Sequence, residues 1–141
     1  MHVRPAVLDA IARHARREHP HECCGLLIGT GNEITDAVAT PNAAADPLRH
    51  YEVSARDHLA QVKRCREATR DGTLPVAVVG AYHSHPRSAP APSPTDVELA
   101  CEEFVYIIAG PVEAVAPMEL RAFRFRQGAF VPLPLNHRAP A

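Results

Sequence analysis

The pattern of hydrophobic and polar positions in the first third of the chain predicts a helix followed by a β-hairpin. Apolar residues recur at helical spacing from Pro5 onward, and the pattern stops at His19 and Pro20, because proline ends a helix. The apolar run CCGLLIG at residues 23–29 and the β-branched run EITDAVATP are separated by a Gly-Asn turn. We therefore expect an amphipathic helix and then a hairpin that turns near residues 30–32.

A second helix is predicted in the middle of the chain. Ser54 and Asp57 have the spacing of a capping box, with aspartate in the usual glutamate position, and open a helix that runs to about Arg70. The Asp-Gly pair at residues 71–72 ends it. Residues 51–53, directly before this helix, have the composition of a short strand.

The second half of the chain predicts a central strand, a third helix and several further strands. LPVAVVGAY, residues 74–82, is an almost uninterrupted apolar run, which is typical of a strand buried on both faces. Ser-Pro-Thr-Asp has the form of a helix start and predicts a helix over residues 93–103. Residues 104–110 and 119–135 supply two or three more strands, and the tail at 136–141 is expected to fray.

Composition restricts the class of protein without identifying it. The 141 residues, with 46% hydrophobic residues, fit one domain over residues 1–141. A formal net charge of -1 gives no electrostatic reason to expect a nucleic acid or an anionic membrane as partner. The chain has no secretory signal pattern and no segment of membrane-spanning length, so we expect a cytoplasmic protein.

The four cysteines do not have metal-binding or redox spacing. None stands in a Cys-x-x-Cys pair, so we expect buried free thiols at all four positions. Two of them directly follow Glu22, and alternation in a strand would send one thiol toward that carboxylate and the other away. An oxidation-sensitive thiol beside Glu22 is one hypothesis, and two buried core thiols are the favoured alternative. The four positions are Cys23, Cys24, Cys65 and Cys101.

Two histidines and an aspartate form a candidate metal site. His83 and His85 point to the same face if they lie in a strand, and Asp96 in the first turn of the next helix could complete a set of two nitrogens and one oxygen. Zinc is the favoured metal, with a fourth position open for water. Nine histidines make a chance His-x-His plausible, so spacing alone leaves the site undecided. His19 and His21 form a second pair, but the proline between them favours two surface histidines.

Other metal-dependent classes use similar ligands. A facial-triad iron oxygenase also combines two histidines with a carboxylate, and metal analysis distinguishes it. A nucleobase deaminase needs a Pro-Cys-x-x-Cys element, which this sequence lacks.

At these positions the chain resembles the JAMM, or MPN+, zinc metalloproteases, whose signature is His-x-His-x7-Ser-x2-Asp with an upstream glutamate. His83, His85, Ser93 and Asp96 match it, and Glu22 stands in the upstream element HPHECCGLLIG. The resemblance implies an α/β fold with a single mixed, partly barrel-like β-sheet flanked by helices, similar to cytidine deaminase. It also implies one zinc ion per chain bound by the two histidines and Asp96, with Glu22 as general acid/base and Ser93 as a donor to the oxyanion.

The resemblance also implies a substrate class. The small prokaryotic members hydrolyse amide bonds at the C-terminal tail of ubiquitin-like (β-grasp) sulfur-carrier proteins, including release of cysteine from a carrier-cysteine adduct. One alternative is a general isopeptidase on protein conjugates, comparable to a deubiquitinase or a desampylase. Another alternative is a non-catalytic MPN-type binding module. The sequence indicates neither the carrier nor the oligomeric state.

Overall fold

The sheet and its helices are described for residues 1–71, 75–112 and 117–139 of the computed structural model. Three helices and seven strands alternate along these residues, as expected for a mixed α/β protein. In chain order they are β1 (His2–Val3), α1 (Pro5–Glu18), β2 (Cys24–Gly29), β3 (Glu33–Thr40), α2 (Ala55–Arg70), β4 (Ala77–Ser84), α3 (Pro94–Leu99), β5 (Val105–Gly110), β6 (Met118–Arg126) and β7 (Ala129–Ala139).

Within the described residues, all seven strands belong to one curled sheet with the order β1-β3-β2-β4-β5-β6-β7. The β1–β3 and β4–β5 pairs are parallel and the other pairs are antiparallel. The apolar run predicted to be the central strand is β4, the fourth strand of the seven. The predicted mixed sheet with flanking helices is confirmed.

Helix α1 is held to the sheet by its apolar stripe. Pro5 opens the helix, and Ile11 at its centre is fully buried against side chains from β2 and β5. Burial of a side chain of this size stabilises the fold by about 1.5–3 kcal/mol. On the opposite face of the sheet, Leu26, Ala81, Tyr106 and Phe125 form a second cluster. The sheet therefore has one well-packed face under α1 and a smaller core on the other side.

Four expectations about the elements are wrong. Residues 51–53 form no strand, although the Tyr51 ring is buried. Helix α3 ends at Leu99 instead of near residue 103, because Ala100 adopts an extended backbone conformation with φ -74° and ψ 144°. The expected frayed tail instead pairs with β6 as far as Ala139. Cys101 is exposed, whereas the other three cysteines are buried as expected.

Several local expectations are confirmed. The hairpin turns between β2 and β3 at residues 30–32, and Ser54 caps α2 by accepting a hydrogen bond from the Asp57 N–H at 3.1 Å. Asp71 is the C-terminal cap of α2, while Gly72 of the predicted stop lies outside the described residues, as does Leu74 at the start of the predicted central strand.

Candidate metal centre

The C-terminal end of β4 places the two motif histidines. His83 lies in the strand, and His85 follows it with its N–H bonded to the Ala109 carbonyl at 2.8 Å. The next residue, Pro86, accepts a hydrogen bond from the Val112 N–H at 3.0 Å. The chain beyond β4 therefore stays beside β5 for several residues, which fixes the direction in which the His85 side chain points.

The pairing of β2 with β4 brings Glu22 to the same place. Cys24 pairs with His83 in antiparallel register, so that Glu22, two residues earlier, lies level with His85, two residues later. Cys23 and Ser84 reinforce this register: the Cys23 N–H donates to Ser84 Oγ at 2.9 Å, and the Ser84 N–H donates to the Cys23 carbonyl at 3.1 Å. The register alone thus sets the glutamate opposite the histidines.

Asp96 reaches the histidines from the first turn of α3. The helix starts with a capping box in which the Asp96 N–H donates to Ser93 Oγ at 3.1 Å and the Ser93 N–H donates to Asp96 Oδ2 at 2.8 Å. Asp96 is the buried residue of this short helix. The cap therefore fixes the carboxylate by the same bonds that begin the helix.

The three side chains converge on one point. The Nε2 atoms of His83 and His85 are 3.3 Å apart. Asp96 Oδ1 lies 3.2 Å from His83 Nε2, and its Oδ2 lies 3.3 Å from His85 Nε2. Ligand atoms bound to a tetrahedral zinc at about 2.0–2.1 Å are separated by about 3.3 Å. The donor set and its spacing therefore fit a zinc ion.

The two imidazole rings are held by different contacts. Because His85 Nε2 points into the site, its Nδ1 carries the proton and donates to the Ala89 carbonyl at 2.9 Å, a common arrangement for a metal-binding histidine. The His83 ring instead stacks on Tyr51, with ring centroids 4.1 Å apart and planes at 13°. The buried Nδ1 of His83 has no hydrogen-bond partner among the described residues.

The electrostatics of the cluster favour a charged carboxylate. Burial alone would raise the pKa of Asp96, but hydrogen bonds from the two histidines and the Ser93 N–H hold it well below its usual range. Burial lowers the pKa of His83, which favours its neutral, metal-binding form. Burial also opposes protonation of His85, but the bonds to Asp96 and to the Ala89 carbonyl raise the pKa of this residue above its ordinary value.

Glu22 lies next to this cluster. One of its carboxyl oxygens is within 4.8 Å of ligand nitrogens of both histidines, so Glu22, His83 and His85 also form a group that could hold a metal. Asp96 is closer to both nitrogens, and its spacing fits a ligand better. Burial raises the pKa of Glu22 to about 7, an effect that Asp96 and Asp46 add to and His85 opposes. A carboxyl group with this pKa can both accept and release a proton near neutral pH.

The Glu22 backbone is anchored by a loop that the sequence did not single out. The Glu22 N–H donates to the Pro47 carbonyl at 2.8 Å, and Asn42 Nδ2 donates to the Glu22 carbonyl at 2.9 Å. The same Asn42 amide donates to the His50 carbonyl at 2.9 Å and so connects Glu22 to the segment before Tyr51.

The remaining sequence candidates are two histidines and two cysteines. His19 and His21 are exposed, as expected for surface residues. Cys23 and Cys24 are buried, and burial raises the pKa of Cys23 to about 12 and also raises that of Cys24. Protonated buried thiols are poor nucleophiles, which favours two core thiols over an oxidation-sensitive site. In the part of the chain that the structure describes, no other group of three potential metal ligands is found.

Comparison with known proteins identifies the family. The sequence profile described as prokaryotic homologs of the JAB domain matches residues 4–126, and the chain belongs to this family. The resemblance to the JAMM metalloproteases that the motif indicates is thereby confirmed.

Three similar proteins have names that describe enzymes. A desampylase of Haloferax volcanii is 35% identical over 126 residues, covering 84% of this chain and 86% of the relative. The CysO-cysteine peptidase of Mycobacterium tuberculosis is 31% identical over 136 residues, covering 95% and 88%. A probable TtuB-protein conjugate cleaving protease of Thermus thermophilus is 32% identical over 110 residues, covering 78% and 70%. These relatives support a hydrolase of the JAMM type.

Solved structures share the fold. A protein of Desulfitobacterium hafniense matches with a TM-score of 0.75 and 26% identity over 93% of this chain and 88% of that chain. The structure described as a JAMM metalloprotease-like zinc site in the proteasome and signalosome matches with a TM-score of 0.55 and 21% identity over 94% of each chain, which shows the shared fold alone. Among the described residues, no helix has the length and apolar character needed to cross a bilayer.

Proposed function

We propose that this chain is a zinc-dependent peptidase that hydrolyses an amide bond at the C-terminal tail of a ubiquitin-like (β-grasp) sulfur-carrier protein. The observation that carries the proposal is the convergence of His83, His85 and Asp96 at the spacing of zinc ligands, with Glu22 beside them. The names of the relatives support the substrate class, since they refer to CysO, to TtuB conjugates and to desampylation.

In this proposal His83, His85 and Asp96 would hold one zinc ion, which would supply Lewis acidity when bound. Glu22 takes a proton from the attacking water and delivers it to the leaving nitrogen. The water oxygen forms a bond to the carbonyl carbon, and the bond between that carbon and the nitrogen breaks. The products are a carrier carboxylate and a free amine.

Ser93 is proposed as the donor to the developing negative charge on the carbonyl oxygen. Its oxygen accepts the Asp96 N–H, so its own hydroxyl proton remains free to donate. The hydroxyl thus caps the helix and remains available to the substrate.

The four cysteines are free thiols, and we propose a cytoplasmic location because reducing compartments keep thiols in this state. We also propose that residues 1–141 act as one domain, since one sheet carries all the described strands.

The test combines metal content with cleavage of a carrier-tail peptide. Wild type and Glu22→Gln should each hold about one zinc per chain, whereas His83→Ala should hold none. Cleavage should occur in wild type and in the surface control His19→Ala and should be lost in the other two variants, because Glu22 moves protons without holding the metal. Wild type that binds no metal, or Glu22→Gln that cleaves normally, contradicts the proposal.

A general isopeptidase on protein conjugates is the second candidate, favoured by the identity to the desampylase. Comparison of a carrier-tail peptide with a carrier joined to a protein lysine distinguishes the two. An idle metal site, with zinc bound and no amide cleaved, would favour the binding-module alternative.

A further inference from the structure

The backbone of Glu22 lies outside the hydrogen-bonded ladder of the sheet, because β2 begins two residues later at Cys24. The loop between β3 and α2, residues 41–54, holds this backbone instead. The Glu22 N–H donates to the Pro47 carbonyl at 2.8 Å, and the Glu22 carbonyl accepts a hydrogen bond from Asn42 Nδ2 at 2.9 Å. The position of the residue proposed to move the proton therefore depends on this loop.

The Asn42 side chain also closes the loop around Tyr51. Its Nδ2 donates to the His50 carbonyl at 2.9 Å and its Oδ1 accepts the Glu52 N–H at 3.1 Å, so Asn42 binds the peptide groups on both sides of Tyr51. Oδ1 accepts a further hydrogen bond from the Ala44 N–H at 3.0 Å. A side-chain amide has two N–H groups and an oxygen with two lone pairs, so all four of its bonding positions are occupied.

The two residues that Asn42 holds both adjoin the metal centre. The Tyr51 ring stacks on the His83 ring with centroids 4.1 Å apart. A carboxyl oxygen of Glu22 lies within 4.8 Å of ligand nitrogens of His83 and His85. One amide therefore sets the backbone of the proton-transferring residue and the backbone of the ring that packs on a metal ligand.

We propose that Asn42 is a positioning residue that holds Glu22 and Tyr51 in one fixed relation to the metal ligands. Its effect on turnover rests on the proposed function, whereas its effect on the His83 ring does not. Misplacement of a reacting group by about 1 Å can cost about 100-fold in rate. Loss of the groups that orient a metal site typically costs about 10–100-fold in activity.

The variant Asn42→Asp separates positioning from a merely structural role in the loop. Aspartate has the same shape and keeps the oxygen that accepts from Ala44 and Glu52, so the turn of the loop is preserved. It replaces Nδ2 with an oxygen that faces the carbonyls of Glu22 and His50, which cannot donate a hydrogen bond. A structural residue tolerates this change, and a positioning residue does not.

Two further variants complete the set. Asn42→Ala removes the two donors without adding a charge. Asn32→Asp is the matched control, because Asn32 is exposed in the turn between β2 and β3 and the chemical change is the same.

The first measurement is cleavage of a carrier-tail peptide with zinc in excess. Both Asn42 variants should lower kcat at least about ten-fold while KM stays within about two-fold of wild type, because the carboxylate is misplaced and the surface that binds the substrate is not. Asn32→Asp should keep kcat within about two-fold. If either Asn42 variant keeps kcat within about two-fold of wild type, the inference is overturned while the peptidase function stands.

The second measurement needs neither metal nor turnover. The ring current of Tyr51 displaces the resonances of the His83 ring protons, which are followed by NMR in metal-free protein with labelled histidine. His83→Ala identifies the signal by its loss, and Tyr51→Ala gives its position without the stacked ring. Both Asn42 variants should move the signal at least halfway toward that position, and Asn32→Asp should leave it in place.

The signal of His14 is the internal control, because this ring contacts Tyr82 beneath α1 at a centroid distance of 5.8 Å. It should stay at its wild-type position in every Asn42 variant. If it moves together with the His83 signal, Asn42 supports the fold in general and the inference is overturned. An unmoved His83 signal in both Asn42 variants also overturns it. If wild type cleaves no peptide, the proposed function fails, and the NMR measurement alone decides the inference.

Discussion

Gly110, at the end of β5, packs against the loop that follows β4 and contains His85. A Cβ at this position would lie 2.6 Å from the carbonyl oxygens of both His85 and Ser88, and 3.2 Å from the His85 Cβ. Each oxygen would have to move by about 0.8 Å to reach the ordinary contact distance of 3.4 Å. Both atoms are backbone, so rotation of a side chain cannot relieve the clash. The substitution Gly110→Ala should therefore displace His85.

Gly110→Ala should lower the free energy of unfolding moderately and weaken zinc binding more strongly. Overpacking of this kind costs about 1–3 kcal/mol in the free energy of unfolding. Disturbing the groups that orient a metal ligand typically weakens metal binding by about 10–100-fold. Zinc affinity is measured by competition with a chromophoric chelator, and urea unfolding of the metal-free protein gives the stability change separately.

Gly31→Ala is the matched control, because a Cβ there meets no atom within 4 Å. It should leave zinc affinity and stability within error of wild type. If Gly110→Ala binds zinc within two-fold of wild type, the close approach of β5 does not position His85. If the control loses affinity to the same extent, the effect is not specific to this contact.

Three further predictions follow from burial. Tyr51→Ala removes the ring stacked on His83 and should lower the free energy of unfolding, measured in urea, by about 3 kcal/mol and weaken zinc binding. Tyr51→Phe should change the free energy of unfolding by less than about 1 kcal/mol. An alanine variant with unchanged stability and zinc affinity would show that the stack is dispensable. The native protein should react rapidly with an aromatic disulfide reagent at one thiol per chain, lost in Cys101→Ser, since the other three are buried; two equally fast thiols would contradict this. Because burial raises the pKa of Glu22 to about 7, the folded metal-free protein binds more protons than the unfolded protein between about pH 4.5 and 7, and ionisation of Glu22 lowers the free energy of unfolding as pH rises. Glu22→Gln should therefore be about 1–3 kcal/mol more stable than wild type at pH 8 and equal to it at pH 4. A stability difference that does not change with pH would refute the reasoning.

Local signals in the sequence predicted the elements well. The start of α1 at Pro5 and the cap of α2 at Ser54 depend on residues a few positions apart, and so does the start of α3. The two-residue strand β1 was missed because it is held only by pairing with β3, some 30 residues later in the chain. The end of α3 at Leu99 follows from the extended backbone of Ala100, which no local pattern in the sequence indicates.

The candidate site likewise contains residues that local spacing predicts and residues that only long-range contacts bring into place. His83, His85 and Asp96 could be grouped from spacing, because one strand and one loop connect them. The position of Glu22 depends on the β2–β4 register, and the contact of Tyr51 with His83 depends on a loop that returns from residues 41–54. Interactions between distant parts of the chain therefore set what the motif alone could not.

The capping box of α3 makes the metal ligand part of a marginal helix. Six residues are too few to be helical on their own, and of these only Asp96 is buried. The same Asp96 Oδ2 that accepts the Ser93 N–H also lies against His85. Loss of this one turn would release the carboxylate while the sheet and α1 stay intact. Heat inactivation should therefore precede global melting, with the active centre failing as a separate unit at a lower temperature than the scaffold that carries it.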